Sequence, residues 1–247
     1  MKTIFIGDIH GRDIWKDIVS QEKPDRVVFI GDYFDSFDIK GPVQIQNFKE
    51  IIEFKKSGEC EVIMLIGNHD YHYLRDRGNI SQYSGYQHKY ALEIGYVLDQ
   101  NKEHLQMAYM MENILCTHAG VSVEWLANSC QVKEVEPSKI ADLVNEVFQE
   151  KPNLFDHNGM DPYGDNTYQT PIWIRPASLI SINRTSLEPY IVQVVGHTAV
   201  KIDIMDTNLT NGRYHFIDKL HNYWGDYLIY EDGVTSKGEV KRERVDS

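Results

Sequence analysis

The 247-residue chain has only three cysteines, and they lie far apart in the sequence. Cys60, Cys116 and Cys130 form no Cys-x-x-Cys pair, which excludes a zinc ribbon or a redox dithiol of that type. An odd number of widely spaced cysteines is typical of proteins from a reducing compartment. We therefore expect a cytoplasmic protein without disulfide bonds.

The sequence also lacks long apolar runs and an excess of basic residues. No apolar run approaches the roughly 20 residues that span a membrane, and the first residues reach Gly7 and Asp8 before a signal-peptide core could form. Lys and Arg number 25 against 37 Asp and Glu, which gives a formal charge of −12. We therefore expect neither a nucleic acid polymer nor a membrane surface as a partner.

Three common motifs are missing as well: the Gly-x-x-x-x-Gly-Lys phosphate loop, the dinucleotide fingerprint and the Gly-x-Ser-x-Gly elbow. What is present is an ordinary globular composition with 42% apolar residues. The length fits one large domain or two small ones. We predict a single domain over residues 1–236 and a frayed, charged tail over residues 237–247.

Short apolar runs rich in β-branched residues alternate with helical patterns. The runs cover residues 3–6, 26–30, 61–66, 113–116 and 190–195, and the helical patterns cover residues 13–19, 43–56, 123–128 and 138–149. This alternation predicts βαβ units and a largely parallel sheet of the α/β class. Residues 214–218 and 226–231 alternate like strands, which predicts an antiparallel hairpin through residues 221–225 and a second sheet.

A polar cluster follows each of the five apolar runs. The clusters are Asp8 with His10, Asp32 with Asp35, Asn68 with His69 and Asp70, His118, and His197. In parallel sheets the chemistry lies at the carboxyl ends of the strands, where all five clusters fall. Carboxylate, imidazole and carboxamide donors suit Mn, Fe, Zn or Ni better than Ca. The sequence therefore predicts a transition-metal site.

Five motifs in order resemble the calcineurin-like metallophosphoesterases. They are Gly7-Asp8-Ile9-His10-Gly11, Gly31-Asp32-Tyr33-Phe34-Asp35, Gly67-Asn68-His69-Asp70, His118-Ala119-Gly120 and Gly196-His197. More narrowly, they resemble the phosphoprotein-phosphatase branch, with its bacterial and phage protein phosphatases and symmetrical diadenosine tetraphosphate hydrolases. The resemblance implies an α/β fold in which helices flank a sandwich of two mixed β-sheets (αββα).

The resemblance also implies a centre of two divalent transition-metal ions. Manganese is the first choice, with Fe, Zn or Ni as alternatives. The implied ligands are Asp8, His10 and Asp32 for the first ion, and Asn68, His118, His197 and a bridging Asp32 for the second. Two such ions would produce a bridging hydroxide that attacks phosphorus.

His69 resembles the residue that gives a proton to the leaving oxygen, and Asp35 would orient it. An imidazole held by a carboxylate has a raised pKa, which suits a general acid. The alternative is that His69 only forms hydrogen bonds around the ligands. Six other histidines, His72 among them, show no partner pattern, and we interpret them as surface or packing residues. Several tyrosines follow the third motif, and we interpret them as packing residues, with the lining of a substrate cleft or the stacking of a base as the alternative. They are Tyr71, Tyr73, Tyr83, Tyr86 and Tyr90.

The chain departs from the branch where an Arg usually follows the second motif, because Ser36 stands there. Another cation must then bind the phosphate, and a guanidinium group can do so through two parallel hydrogen bonds. Arg175 resembles the Trp-x-Arg segment of bacterial and phage relatives and is our first candidate for substrate binding. Arg12, Arg75 and Arg77 are alternatives, and a solvated surface charge is the alternative for each.

The sequence leaves the substrate open between a phosphorylated protein or small phosphate monoester and a dinucleoside polyphosphate. The absence of an Arg at Ser36 argues against the first substrate class, while His-Ala-Gly and the Asn-His-Asp-Tyr-His run favour the second. Ser36-Phe37 also stands where the tetraphosphate hydrolases tend to carry Arg-Gly, so neither resemblance is complete. A non-catalytic scaffold is a rival interpretation, but every implied ligand is present. A nuclease is another, but Ala199 replaces a histidine common in that group, and the charge is unfavourable. The oligomeric state is not indicated.

Overall fold

The computed structural model describes residues 1–76, 83–132, 134–159, 165–183, 191–201 and 212–243. The chain divides into two compact units, one made of Met1–Leu105 with Lys219–Ser247 and the other of Gln106–Asp218. Each unit contains helices and a mixed sheet, so the predicted α/β class with two mixed sheets is confirmed. Among the described residues, every helix is too short or too polar to cross a membrane. The single domain over residues 1–236 stays a prediction.

Strands and helices alternate along most of the described chain. The strands are β1 (Lys2–Ile6), β2 (Arg26–Phe29), β3 (Glu61–Leu65), β4 (Leu105–Gln106), β5 (Ala108–Met111), β6 (Ile114–Thr117), β7 (Val192–Val195), β8 (Tyr214–Phe216), β9 (Trp224–Glu231) and β10 (Val234–Lys241). The helices are α1 (Trp15–Glu22), α2 (Gly41–Ser57), α3 (Asn68–Asp76), α4 (Ala91–Asp99), α5 (Val123–Asn128), α6 (Ile140–Glu150) and α7 (Pro176–Asn183).

The first unit is built on a six-stranded sheet with the order β10-β9-β1-β2-β3-β4. Strands β1, β2 and β3 run parallel, and β9 pairs antiparallel with both β1 and β10. Residues Thr3–Ile6 of β1 are all buried, which is why this strand is a continuous apolar run in the sequence. Phe29 of β2 packs with Phe48 and Ile51 of α2 in the core of this unit.

The second unit is built on a four-stranded sheet with the order β5-β6-β7-β8. Strands β6, β7 and β8 run parallel, and β5 pairs antiparallel with β6. A small core of this unit joins Val195 of β7 and Phe216 of β8 to Leu179 of α7. The carboxyl ends of β6 and β7 therefore lie side by side.

The predicted hairpin through residues 221–225 is wrong. Strand β8 pairs with β7 in the second unit, whereas β9 pairs with β1 and β10 in the first. The alternation in each segment indicates a strand correctly, but alternation carries no information about the partner. The turn that does join two neighbouring strands is Asp232-Gly233, between β9 and β10.

The predicted fraying of residues 237–247 is also wrong up to residue 241, because these residues form most of β10. Val240 is 5% exposed and belongs to the core of the first unit. Arg242 follows the strand and forms ion pairs with Asp13 and Asp17. The exposed charged residues of this edge strand made the segment look like a solvated tail, so the buried Gly238 and Val240 were not recognised as part of a strand.

Candidate active site

Three site loops of the first unit begin where parallel strands end. Asp8 follows β1, Asp32 follows β2 and Asn68 follows β3, and all three side chains are buried. The carboxyl ends of neighbouring parallel strands meet at one edge of a sheet, which brings these residues together. Asp8, His10 and Asp32 place potential ligand atoms within 4.8 Å of one another.

His10 has the arrangement of a metal-binding histidine. Its Nδ1 lies 2.5 Å from the carbonyl oxygen of Phe34, and its Nε2 lies 3.8 Å from Oδ2 of Asp32. Binding histidines commonly donate their second ring N–H to a backbone carbonyl, which aims the other nitrogen at the metal. Burial lowers the pKa of His10 to about 4, against the opposing effect of Asp32, so the imidazole is neutral. The cluster therefore fits a divalent cation, which needs deprotonated ligands.

Two glycines allow the loops after β2 and β3 to come into contact. A Cβ atom on Gly67 would lie 2.1 Å from Oδ1 of Asp32, and one on Gly31 would lie 2.5 Å from the backbone nitrogen of Gly67. Gly31 also has a φ of +106°, which L side chains rarely adopt. Both positions therefore need glycine for Asp32 to approach the start of α3.

A buried carboxylate, Asp70, ties these loops together. It accepts hydrogen bonds from the backbone nitrogens of Asp32 and Tyr33, both at 2.8 Å, and from that of Gly67 at 2.9 Å. The bond from Gly67 is the half of a capping box in which an acidic side chain bonds back to the helix start. Sequence reasoning included Asp70 in a cluster but gave it no such role.

The predicted pair of Asp35 and His69 is in contact. Nδ1 of His69 lies 2.8 Å from Oδ2 of Asp35, and the hydroxyl of Tyr73 donates to Oδ1. Burial would raise the pKa of Asp35, but contacts with His69 and His72 outweigh it and hold the pKa below its ordinary value. Asp35 is therefore ionised and accepts hydrogen bonds, which leaves Nε2 of His69 to act elsewhere.

Four of the predicted site residues have left-handed backbone conformations. They are His10 (φ 42°), Asp32 (φ 52°), Asp35 (φ 67°) and His197 (φ 63°). Such conformations cost about 1–3 kcal/mol each in residues other than glycine, and they cluster at functional sites. Contacts in the surrounding fold must therefore stabilise the unfavourable backbone conformations of three predicted metal ligands and of Asp35, the predicted partner of His69.

The second unit brings together the two remaining predicted histidines. His118 follows β6 and His197 follows β7, and their ring centroids are 5.1 Å apart. They offer nitrogen atoms within 4.8 Å of each other. The backbone nitrogen of Gly196 donates to the carbonyl of His118 at 2.8 Å, and Nε2 of His197 lies 3.1 Å from the carbonyl of Trp173. Two imidazoles so placed could bind one metal ion.

Arg175 lies beside His197. Its Nη1 donates to Oγ1 of Thr198 at 3.0 Å and to the carbonyl of His197 at 3.3 Å. Ser36 is buried, and its hydroxyl donates to Asp38 at 2.7 Å, so this side chain forms an internal contact. Arg12 has a long contact of 3.5 Å to the carbonyl of Ile9.

The interpretation of His72 as a mere surface or packing residue misses a contact with the site. His72 is 1% exposed, and its Nε2 lies 2.8 Å from Oδ2 of Asp35. The spacing of three residues from His69 puts both on one face of a helix, which is the signal that the sequence contained. The alternative cation Arg77 lies outside the described residues.

Comparisons with known proteins agree with this geometry. The profile of the family described as calcineurin-like phosphoesterase matches residues 1–201. A symmetrical bis(5'-nucleosyl)-tetraphosphatase from Aliivibrio salmonicida (strain LFI1238) is 27% identical over 184 residues, which cover 66% of this chain and only 63% of that relative.

Solved structures share the fold at low identity. The cold-active protein-tyrosine phosphatase of a psychrophilic Shewanella species has a TM-score of 0.64 at 16% identity, covering 97% of this chain and 80% of that one. A metallophosphoesterase from Sphaerobacter thermophilus has a TM-score of 0.53 at 14% identity, covering 98% and 90%. With the five strand-end motifs and the match over residues 1–201, the chain belongs to the calcineurin-like phosphoesterase family.

Proposed function

We propose that the protein is a metal-dependent phosphohydrolase that transfers a phosphoryl group from an ester or anhydride to water. The observation that carries this proposal is the buried Asp8, His10 and Asp32 cluster beside the Asp35 and His69 pair. The ring centroids of His10 and His69 are 5.4 Å apart, so a metal ligand and a proton donor share one site. Membership of the family supports the same reaction class.

We propose two metal ions, with manganese as the first choice. The first would be held by Asp8, His10 and Asp32, and the second by Asp32, Asn68, His118 and His197. When bound, divalent cations supply a nucleophilic water near neutral pH and offset the charge of the phosphoryl oxygens. Asn68 completes the ligand set without adding negative charge that would repel the phosphate.

In this proposal the protein's own residues move a proton and bind the substrate. His69 donates a proton to the leaving oxygen from Nε2, because its Nδ1 is held by Asp35 at 2.8 Å. General acids of this kind contribute about 10²–10⁴-fold to the rate. Arg175 binds a phosphoryl oxygen, supported by its position beside His197.

For the substrate, we propose a phosphate monoester such as phosphoserine, phosphothreonine or a small phosphoester. A second candidate is a symmetrical dinucleoside tetraphosphate, which the name of the Aliivibrio salmonicida relative favours. The two differ in the bond cleaved, since one releases inorganic phosphate and the other two nucleoside diphosphates.

The deciding experiment is product analysis with Mn²⁺, offering diadenosine tetraphosphate and a phosphoserine/phosphothreonine peptide side by side. Phosphate from the peptide supports the first candidate, and two ADP from the dinucleotide support the second. The Asp32→Asn variant is expected to lose both bound metal and turnover. Its matched control is Asp232→Asn, whose side chain is 87% exposed and far from the site in sequence. Full activity of Asp32→Asn, or a metal-free wild-type protein that Mn²⁺ does not activate, would contradict the proposal.

A further inference from the structure

The carboxylate of Asp35 contacts two imidazoles: that of His69, the proposed general acid, and that of His72. Nε2 of His72 lies 2.8 Å from Oδ2 of Asp35, the same oxygen that Nδ1 of His69 contacts at 2.8 Å. The hydroxyl of Tyr73 donates to the other oxygen, Oδ1. The carboxylate is thus held from both ends inside the protein, where its side chain has no exposure to solvent.

His72 is itself fixed in place. Its ring stacks on Tyr83 with centroids 4.6 Å apart and an interplanar angle of 11°, and Tyr86 contacts it edge-on at 5.2 Å. Burial lowers the pKa of His72 against the opposing effect of Asp35, so the ring is neutral. Neither ring nitrogen of His72 completes a hydrogen bond of ordinary geometry with a described residue, so the 2.8 Å approach of Nε2 to Oδ2 is a close polar contact. Because an ionised carboxylate can only accept, the proton of the neutral ring lies on the nitrogen that faces it.

The backbone of Asp35 needs such support. Its φ of 67° is a strained conformation for a residue with a side chain. Gly85 packs against this backbone so closely that an added Cβ would lie 2.3 Å from the carbonyl oxygen of Asp35. Side chains of α3 therefore contact the carboxylate of Asp35, while the segment at Gly85 packs against its backbone.

We infer that His72 is a positioning residue for the proposed general acid and that it acts through Asp35. By occupying one side of Oδ2, His72 leaves the other side as the place where Nδ1 of His69 can bind. The His69 ring then has one orientation, with Nε2 directed to the leaving group. This inference rests on the proposed phosphohydrolase function.

The test compares two replacements of His72 in the full chain. His72→Phe keeps an aromatic ring for stacking on Tyr83 but removes the donor toward Asp35. His72→Gln offers an amide N–H near the position of Nε2 and serves as the conservative variant. Both are assayed with Mn²⁺ on a series of phosphate monoesters, from p-nitrophenyl phosphate, which has a good leaving group, to alkyl phosphates, which have poor ones.

We expect His72→Phe to lower kcat about 10–100-fold for alkyl phosphates, which is part of the full contribution of a general acid, and to change it little for p-nitrophenyl phosphate. KM and metal content should stay unchanged, and His72→Gln should restore most of kcat. In a His69→Asn background, His72→Phe should cause no further loss, because both changes remove the same contribution.

Three results would overturn the inference. One is an equal loss of kcat for good and poor leaving groups, and another is a loss in His72→Phe that adds fully to that of His69→Asn. The third is the loss of a metal equivalent, which would make His72 a ligand, since Asp35, His69 and His72 also group potential ligand atoms. The single variant His69→Asn distinguishes a failure of this inference from a failure of the proposed acid role. If that variant shows no dependence on the leaving group, the acid role itself fails.

Discussion

Among single residues, Asp70 does the most to hold the site loops in place. Its carboxylate accepts three backbone hydrogen bonds, two from the loop that carries Asp32 and one from Gly67 before α3. Asp32 needs this support because its φ of 52° is unfavourable for a residue with a side chain. Removing the charge of Asp70 should therefore loosen Asp32, a proposed metal ligand, as well as the fold.

We predict that Asp70→Asn lowers the free energy of unfolding by about 2–4 kcal/mol, because hydrogen bonds to a buried charge contribute about 1.5–3 kcal/mol. The amide also turns a donor toward backbone N–H groups that need an acceptor. Urea denaturation of the metal-free protein measures the change. The control is Asp142→Asn, an exposed residue in the first turn of α6, for which we expect less than about 1 kcal/mol. Equal effects of the two substitutions would contradict the role of Asp70.

His72 shows why part of the site escapes prediction from sequence. The motif residues could be predicted because each follows a buried strand and has a residue type with clear chemistry. The partner of His72 is Asp35, on a different loop, and no local pattern joins the two. The spacing of His69 and His72 indicates only that the two share a helix face. Their common partner, Asp35, is identified only when folding brings α3 against the loop after β2.

At the scale of elements, buried parallel strands were predictable and edge strands were not. Strands β1, β2 and β3 are covered on both faces and therefore leave continuous apolar runs in the sequence. Strand β10 lies at the edge of its sheet and has the burial pattern of an exposed strand, with only Gly238 and Val240 buried. Its two lysines and one glutamate are typical of edge strands that resist further pairing, and in the sequence they resemble a solvated tail.

The turn between β9 and β10 carries a local signal of its own. Asp232 has a φ of 51° and Gly233 a φ of 84°. Positive φ at both central residues defines a type I′ turn, for which Asp-Gly is a preferred sequence. The dipeptide therefore indicates the hairpin that the structure contains, whereas residues 221–225 lack this signal.

We predict that Gly233→Ala destabilises the protein by about 1 kcal/mol, through the positive φ alone, because no atom of the described residues lies within 4 Å of the added Cβ. For a chain of this size the midpoint of thermal unfolding should fall by about 2–4 °C. Gly159→Ala is the matched control, since its added Cβ also meets no described residue within 4 Å and its φ is not positive. The same midpoint for both variants would argue against a strained turn.

Across the whole molecule, the first unit is assembled from two distant parts of the chain. Strand β1 lies between β2, which follows soon after it, and β9, which belongs to residues 224–231. Lys2 pairs with Glu231 and Phe5 pairs with Leu228. The strand that carries Asp8 at its end therefore depends on both parts for its hydrogen bonds.

We predict that deleting residues 237–247 lowers the free energy of unfolding by at least about 3 kcal/mol, or about 6–12 °C in the midpoint. The deletion removes five of the eight residue pairs between β9 and β10, the buried Val240, and the ion pairs of Arg242 with Asp13 and Asp17. Calorimetry of the full and shortened chains measures the change.

Val234→Ala is the control for that deletion, because this residue lies at the exposed start of the same strand. We expect an effect within about 0.5 kcal/mol. An unchanged unfolding midpoint for the shortened chain would contradict this prediction, because it would mean that residues 237–241 do not stabilise the fold.

The order of strands in the first sheet also has a consequence for synthesis. A ribosome adds about 5–20 residues per second, so roughly 10–45 s pass between the emergence of β1 and that of its neighbour β9. During that interval one hydrogen-bonding edge of an apolar strand stays open to any other extended chain. How long this edge can pair wrongly therefore depends on the speed of translation, and not on the stability of the finished fold.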